Sequence, residues 1–92
     1  MSLAARYGGQ DATLRHFAGE TLRFEGPRAL APGAPVLLEV ARPEGPLTIE
    51  GRSLGSRRLA PDATSFEIRA RLVNMRKADR EWLAAALGPP PA

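Results

Sequence analysis

TSFEIRARLV, residues 64–73, alternates apolar and polar side chains more regularly than any other segment of the chain. One face of this segment carries Phe66, Ile68, Ala70 and Leu72. The opposite face carries Glu67, Arg69 and Arg71. Because successive side chains of a strand point to opposite sides of the sheet, this period of two predicts a β-strand with one buried face and one solvated face.

A helix is predicted directly after this strand, from about Arg76 to Leu87. Asn74 is its expected N-terminal cap, since asparagine side chains accept hydrogen bonds from the first free backbone N–H groups. Its apolar face consists of Leu83, Ala86 and Leu87, with Trp82 beside them. Gly88 and the three prolines after it end the helix.

Shorter strands precede the alternating segment. ATLRHF (12–17) and ETLRF (20–24) flank a glycine turn and predict a tight hairpin, and PVLLEVA (35–41) predicts the next strand. A long strand begins at Leu47 and loses its alternation around Gly51 or Gly55, which indicates a β-bulge or a sharp bend. Such bends let a short sheet curl. The predicted fold is therefore mainly β: a small antiparallel barrel of five or six strands with one C-terminal α-helix.

The chain of 92 residues is expected to form a single domain. Residues 1–10 contain a Gly-Gly pair and no periodicity, so they are predicted to be a flexible N-terminal tail. The barrel and its helix are assigned to residues 11–88, and a proline-rich tail to residues 89–92.

Composition excludes several classes of site. The chain has no cysteine and one histidine, so it has no thiolate zinc site, disulfide or second imidazole for a proton relay. No spacing of residues predicts a catalytic group, a metal site or a phosphate loop. We therefore expect a protein that is not an enzyme and has no cofactor. No apolar run is long enough to insert into a membrane, and a cytoplasmic location is expected.

The charge is modest and consists almost entirely of arginine on the basic side. Thirteen basic residues oppose ten acidic ones, giving a net charge of +3, and only Lys77 is a lysine. A possible basic surface is formed by Arg57, Arg58, Arg69 and Arg71. The interleaved charges favour solvated strand and helix faces, while bidentate recognition of an anion or of guanine by some of the arginines remains the alternative.

The order of features resembles the PilZ domain over roughly residues 12–87. The resemblance is carried by the hairpin, the run GAPVLLEVARPEGPLTIEGRSLGSRRL, the alternating strand and the segment NMRKADREWLAAAL. PilZ domains are bacterial receptors for cyclic di-GMP. The resemblance implies a barrel that holds this ligand with an R-x-x-x-R segment before the first strand and a [D/N]-x-S-x-x-G segment in the first hairpin.

This sequence departs from both ligand motifs. Only Arg6 precedes the first predicted strand, and His16, Ala18 and Thr21 occupy the three positions of the hairpin motif. Cyclic di-GMP binding in the usual manner is therefore not expected. If the ligand binds at all, the candidate contacts are Arg6, Arg15, His16 and Arg23.

Three functions remain open. The favoured one is a PilZ-like adaptor that binds a protein partner in bacterial cyclic di-GMP signalling or motility, as the resemblance implies for members without the motifs. The second is a cyclic di-GMP receptor that uses non-standard arginines. The third is a small basic barrel that binds RNA or DNA, which is disfavoured because no aromatic stacking platform is predicted on the basic face.

Overall fold

The computed structural model describes residues 2–61 and 64–89. Its elements are β1 (Leu3–Tyr7), β2 (Gln10–Ala18), β3 (Thr21–Gly26), β4 (Pro35–Val40), β5 (Leu47–Arg58), β6 (Phe66–Val73) and α1 (Lys77–Leu87). The strands pair antiparallel in the closed order β1-β2-β3-β6-β5-β4, with β1 beside β4. The predicted fold class is confirmed, and the described ranges contain six strands.

The alternation of β6 corresponds to one buried and one exposed face. Ile68, Ala70 and Leu72 are buried, whereas Phe66 at the start of the strand is half-buried. Buried apolar side chains come from all six strands and from α1, and they form one core. Burying a leucine- or isoleucine-sized side chain contributes about 1.5–3 kcal/mol, so this core is the main source of stability.

The prediction of a flexible tail over residues 1–10 is wrong. Leu3–Tyr7 is a strand that pairs with β2 on one side and with β4 on the other, and it closes the barrel. Gly8 and Gly9 both have positive φ, at 58° and 80°, and form the two-residue turn between β1 and β2. A Gly-Gly pair suits this kind of hairpin because both central residues need left-handed backbone. The barrel therefore begins at residue 3 rather than residue 11.

The predicted hairpin of β2 and β3 is confirmed. Ala18 pairs with Thr21 across a turn in which Gly19 has a φ of 62°. The register shifts between Leu14 and His16, so Arg15 is an additional residue in β2 with no direct partner on β3.

The loss of alternation in the long strand is a β-bulge. The register between β5 and β6 shifts between Ser53 and Gly55, which leaves Leu54 without a partner. Gly55 has a φ of 137°, a conformation that favours glycine. Gly51 lies on the inner side of the same strand, where a Cβ atom would come within 2.6 Å of the carbonyl oxygen of Arg71.

Helix α1 follows β6 as predicted, but Asn74 does not cap it. Asn74 has a φ of 54° and turns the chain, while the N-cap position is occupied by Arg76, whose side chain makes no capping hydrogen bond. At the other end Gly88, with a φ of 73°, ends the helix as expected. The Gly88 carbonyl accepts a hydrogen bond of 2.9 Å from the backbone N–H of Phe17, which joins the helix end to β2.

Arg42 joins α1 to the turn between β4 and β5. Its Nη1 lies 3.3 Å from Oδ1 of Asp79, and its Nε donates to the Gly45 carbonyl at 2.9 Å. Its guanidinium carbon lies 5.3 Å from the ring centroid of Trp82. Trp82 thus packs against the core with a cation on its face, as expected for a helix anchor.

The loop between β3 and β4 is held by two serines of β5. Ser53 and Ser56 both donate to the carbonyl of Leu30, at 3.3 and 3.1 Å, and Ser56 also accepts from the Leu30 N–H at 2.9 Å. Leu30 packs against the core.

The only helix in the described ranges is too short and too polar to cross a membrane. Of the predicted proline-rich tail 89–92, residues 90–92 lie outside the described residues.

The close approach at Gly51 gives a stability prediction. Gly51→Ala should lower the free energy of unfolding by about 1–3 kcal/mol, because the new methyl group meets backbone that cannot move aside cheaply. Gly26→Ala is the matched control, since its Cβ would lie 3.6 Å from Ile68, an ordinary contact. Urea unfolding of both variants measures the difference, and equal stabilities would contradict the prediction.

Candidate functional site

The strand register brings four residues into one transverse row on the outside of the barrel. His16 pairs with Arg23, Arg23 pairs with Arg69, and Arg69 pairs with Gly55, across β2, β3, β6 and β5. We call these four residues the Arg23–Arg69 row. The row faces outward because the residues that flank Arg23 and Arg69 along their strands are buried or half-buried.

The two arginines of this row make no ion pair with any described residue. They are direct cross-strand partners, one half-buried and one exposed. Like charges placed directly opposite each other destabilise a sheet. Among the described residues, therefore, no carboxylate is bonded to either arginine of the row.

The next row toward the start of β6 is neutralised. Glu25 and Glu67 are cross-strand partners, and each is bound by an arginine. Arg15 bonds to both oxygens of Glu25, at 2.8 and 3.2 Å, and the Nε of Arg57 lies 3.1 Å from Oε1 of Glu67. The hydrogen bond to Glu25, together with that carboxylate's charge, raises the pKa of Arg15 above its ordinary value. The guanidinium groups of Arg15 and Arg57 are thus paired with these carboxylates.

The row on the other side is partly neutralised. Arg71 lies between Thr21 and Arg52, its partners on β3 and β5, and its Nη2 is 3.2 Å from Oε2 of Glu20. Arg52 donates to the Gly33 carbonyl at 3.3 Å. This row therefore has one carboxylate for two arginines, which adds positive charge beside the Arg23–Arg69 row.

A shallow depression of about 350 Å³ opens at the Arg23–Arg69 row. It is lined by Arg23, Gly55, Ser56, Arg57, Glu67 and Arg69. Gly55 leaves space at its edge, since a Cβ atom there would lie 3.8 Å from Nη2 of Arg69. Three arginines and one glutamate line the depression, so its lining carries a net positive charge.

Leu54 lies beside this depression. As the additional residue of the β5 bulge it follows Ser53, the partner of Ala70, and precedes Gly55, the partner of Arg69. Its side chain is 43% exposed. An exposed leucine next to cationic side chains is an apolar contact point in a basic surface.

A second depression, of about 320 Å³, lies beside the start of α1. Its charged residues include Arg42, Glu50, Arg76 and Asp79. Arg42 and Asp79 are bonded to each other there. These charges are balanced and belong to the anchor of the helix.

The eight candidates from the sequence do not form one site. Arg15, His16 and Arg23 lie on the same outer face as Arg57, Arg69 and Arg71. Arg6 lies in β1, where it bonds to Asp11 at 3.1 Å and to the Gly9 carbonyl. Arg58 donates to the Pro61 carbonyl and stacks over Phe66, with its guanidinium carbon 5.5 Å from the ring centroid.

Sequence reasoning missed the residues that shape the site, Leu54, Gly55 and Ser56. The loss of alternation near Gly55 was the available signal, since a bulge re-aims the side chains around it.

His16 has a buried Nδ1 without a hydrogen-bond partner among the described residues. Within the described ranges, no group of three or more histidine, aspartate or glutamate side chains is arranged to hold a metal ion.

The unpaired arginines give a second prediction. Arg69→Glu should raise the free energy of unfolding by up to about 1 kcal/mol, because it replaces a like-charge cross-strand pair with an opposite-charge pair to Arg23. Arg57→Glu should lower it by a similar amount, because Glu67 is then opposed by another carboxylate. Urea unfolding at low salt measures both. Shifts in the same direction would contradict the charge assignment of the two rows.

Comparison of this chain with models of protein families, with curated proteins and with solved structures finds no match. No residue role is therefore transferred from a relative. The resemblance to PilZ domains stays a prediction from the sequence pattern.

Proposed function

We propose that this chain is a non-enzymatic binding module, a PilZ-like adaptor as its sequence pattern predicts, that binds an acidic protein partner. The binding surface is the outer face of β2, β3, β6 and β5. The observation that carries the proposal is the exposed Leu54 at the β5 bulge, next to arginines that are bonded to no carboxylate of the described ranges. A role in cyclic di-GMP signalling or motility in the bacterial cytoplasm rests on the resemblance alone.

An exposed leucine beside arginines supports a protein partner. Protein interfaces have an apolar centre and a polar rim, and arginine is enriched in them because its guanidinium both stacks and forms several hydrogen bonds. Leu54 supplies the apolar centre. Arg52 lies two residues before it on β5, and Arg69 on β6 is the partner of Gly55, the residue after it. The geometry fits a partner that presents an apolar side chain flanked by aspartate or glutamate.

The charge of this face supports an acidic partner. The Arg23–Arg69 row contains no carboxylate. In the row beside it Arg71 is bonded to Glu20, whereas Arg52 is bonded to the Gly33 carbonyl. Complementary charge speeds association and excludes basic partners, since like charges brought together at an interface cost energy.

A cyclic di-GMP receptor is the second candidate. Two of its three proposed arginines are engaged, Arg6 with Asp11 and Arg15 with Glu25. Ligand binding through them would first break both ion pairs. Arg23 alone of the three has no carboxylate bonded to it within the described residues.

RNA or DNA is the third candidate. Stacking on aromatic side chains contributes much of the affinity of barrels for single strands. Phe66, the aromatic residue of β6, is half-buried and covered by Arg58. Electrostatic attraction would be left as the main source of nucleic-acid affinity.

The protein-partner proposal predicts a loss of binding when Leu54 is changed. We expect Leu54→Glu to reduce capture of the partner from an extract of the source cells at least about tenfold, because it removes the apolar contact and neutralises nearby arginines. Leu37→Glu is the matched control, since Leu37 is 54% exposed on β4, away from this face. Quantitative mass spectrometry of the captured proteins is the readout. Equal capture by all three proteins, or equal loss from both variants, would contradict the proposal.

Titration calorimetry separates the adaptor from the cyclic di-GMP receptor. We expect no saturable heat with cyclic di-GMP at tens of micromolar. If heat is seen and Arg6→Ala and Arg15→Ala each weaken binding by about 1.5–3 kcal/mol, the receptor is correct instead. Nucleic-acid binding that falls steeply between two salt concentrations would favour the third candidate.

A further inference from the structure

We propose that the depression between Arg23 and Arg69 is a binding site for a phosphate monoester. This goes beyond the docking of an acidic partner, because the site binds a phosphoryl group whether or not a protein partner is present. It is lined by Arg23, Arg69, Gly55, Ser56 and Arg57, together with the carboxylate Glu67 to which Arg57 is bonded.

The first argument is the direct pairing of two guanidinium groups. The Cβ atoms of directly opposed residues lie about 4.5–5.5 Å apart, so the side chains of Arg23 and Arg69 can reach the same anion. Each guanidinium presents a planar fork of N–H donors that matches two phosphate oxygens. Neither group is held by a carboxylate within the described residues, so no such ion pair has to be broken before an anion binds.

The second argument is the space at Gly55. Gly55 is the partner of Arg69 on β5, and its missing side chain leaves one side of the Arg69 guanidinium open. The depression of about 350 Å³ extends from there to Arg57. Arg57 is bonded to Glu67, which limits its contribution while that carboxylate is present.

The third argument is charge. The two unpaired arginines carry two positive charges, and a phosphate monoester carries about −1.5 to −2 at neutral pH. A carboxylate supplies one negative charge and two oxygens, whereas a terminal phosphate supplies three oxygens to the two forks. The site therefore matches a phosphate monoester better than a carboxylate or a phosphodiester.

Phosphate binding is also expected to stabilise the fold. The guanidinium groups of Arg23 and Arg69 repel each other when no anion is bound between them. An anion that binds the folded state alone raises its stability, and here it also removes that repulsion. The source of the phosphoryl group is either a free nucleotide or a phosphorylated side chain, and both share this chemistry.

The test is a titration of the purified chain with inorganic phosphate at constant ionic strength, followed by NMR and by thermal unfolding. We expect saturable shifts at Arg23, Arg69 and Gly55 and a rise in the unfolding temperature. Arg23→Gln and Arg69→Gln should each weaken binding at least about tenfold and should not lower the unfolding temperature of the phosphate-free protein. Arg6→Gln, on β1, is the matched control and should bind as the wild type does.

A variant that is expected to tighten phosphate binding checks that the losses in the other variants do not come from misfolding. Glu67→Gln frees Arg57 and should tighten phosphate binding severalfold, whereas Glu39→Gln on β4 should leave it unchanged. Adenosine monophosphate and O-phosphoserine then identify the source, since the physiological class is expected to bind more tightly than inorganic phosphate.

Three results would overturn the proposal: equal weakening by Arg6→Gln, acetate binding as tight as phosphate binding, or shifts spread over all arginines. Leu54→Ser, which removes the apolar contact without adding a carboxylate beside Arg69, is expected to keep phosphate binding within a few fold. Loss of the protein partner in that variant, with phosphate still bound, supports the adaptor surface at Leu54 and a phosphate site that is separate from it. Absence of phosphate binding in a wild-type chain that still binds its partner refutes the phosphate site alone.

Discussion

The outer surface of this barrel depends on one additional residue, Leu54. Before it, even-numbered residues of β5 face solvent, and Arg52 is the partner of Arg71. After it the parity changes, so Gly55 is the partner of Arg69 and Arg57 is the partner of Glu67. A one-residue shift reverses the face of every side chain that follows. Without the bulge the partner of Arg69 would be a leucine, and the depression beside it would be closed.

The same bulge links the surface to the core. Ser53, just before it, and Ser56, just after it, both point toward the loop and hold Leu30 by hydrogen bonds. Buried hydroxyls are tolerated when they are bonded in this way. The loop that covers part of the core and the depression outside it therefore depend on the same short segment of β5.

Local pattern determined which parts of the fold were predictable from sequence. The alternation in β6, the β2–β3 hairpin and the helix depend on neighbours in the chain, and these predictions are confirmed. Strand β1 was missed because its inward positions include the small Ala5, and Gly8-Gly9 resembles a flexible segment as much as a turn. The site was missed for a different reason. Arg23 and Arg69 are far apart in the chain, and only the pairing of β3 with β6 makes them neighbours.

The packing of the barrel explains why binding is assigned to its outside. Small barrels have interiors just wide enough to be filled by side chains. Here Leu14, Phe24, Leu38 and Ile49 are fully buried, and α1 adds Leu83 to the same core. A ligand inside would have to displace these residues at a cost comparable to unfolding the domain. On the outside, most described arginines of the β2–β3–β6–β5 face are bonded to a carboxylate or a carbonyl. Arg23 and Arg69 have no such partner among the described residues, so the proposed anionic ligand or partner would gain most by binding there.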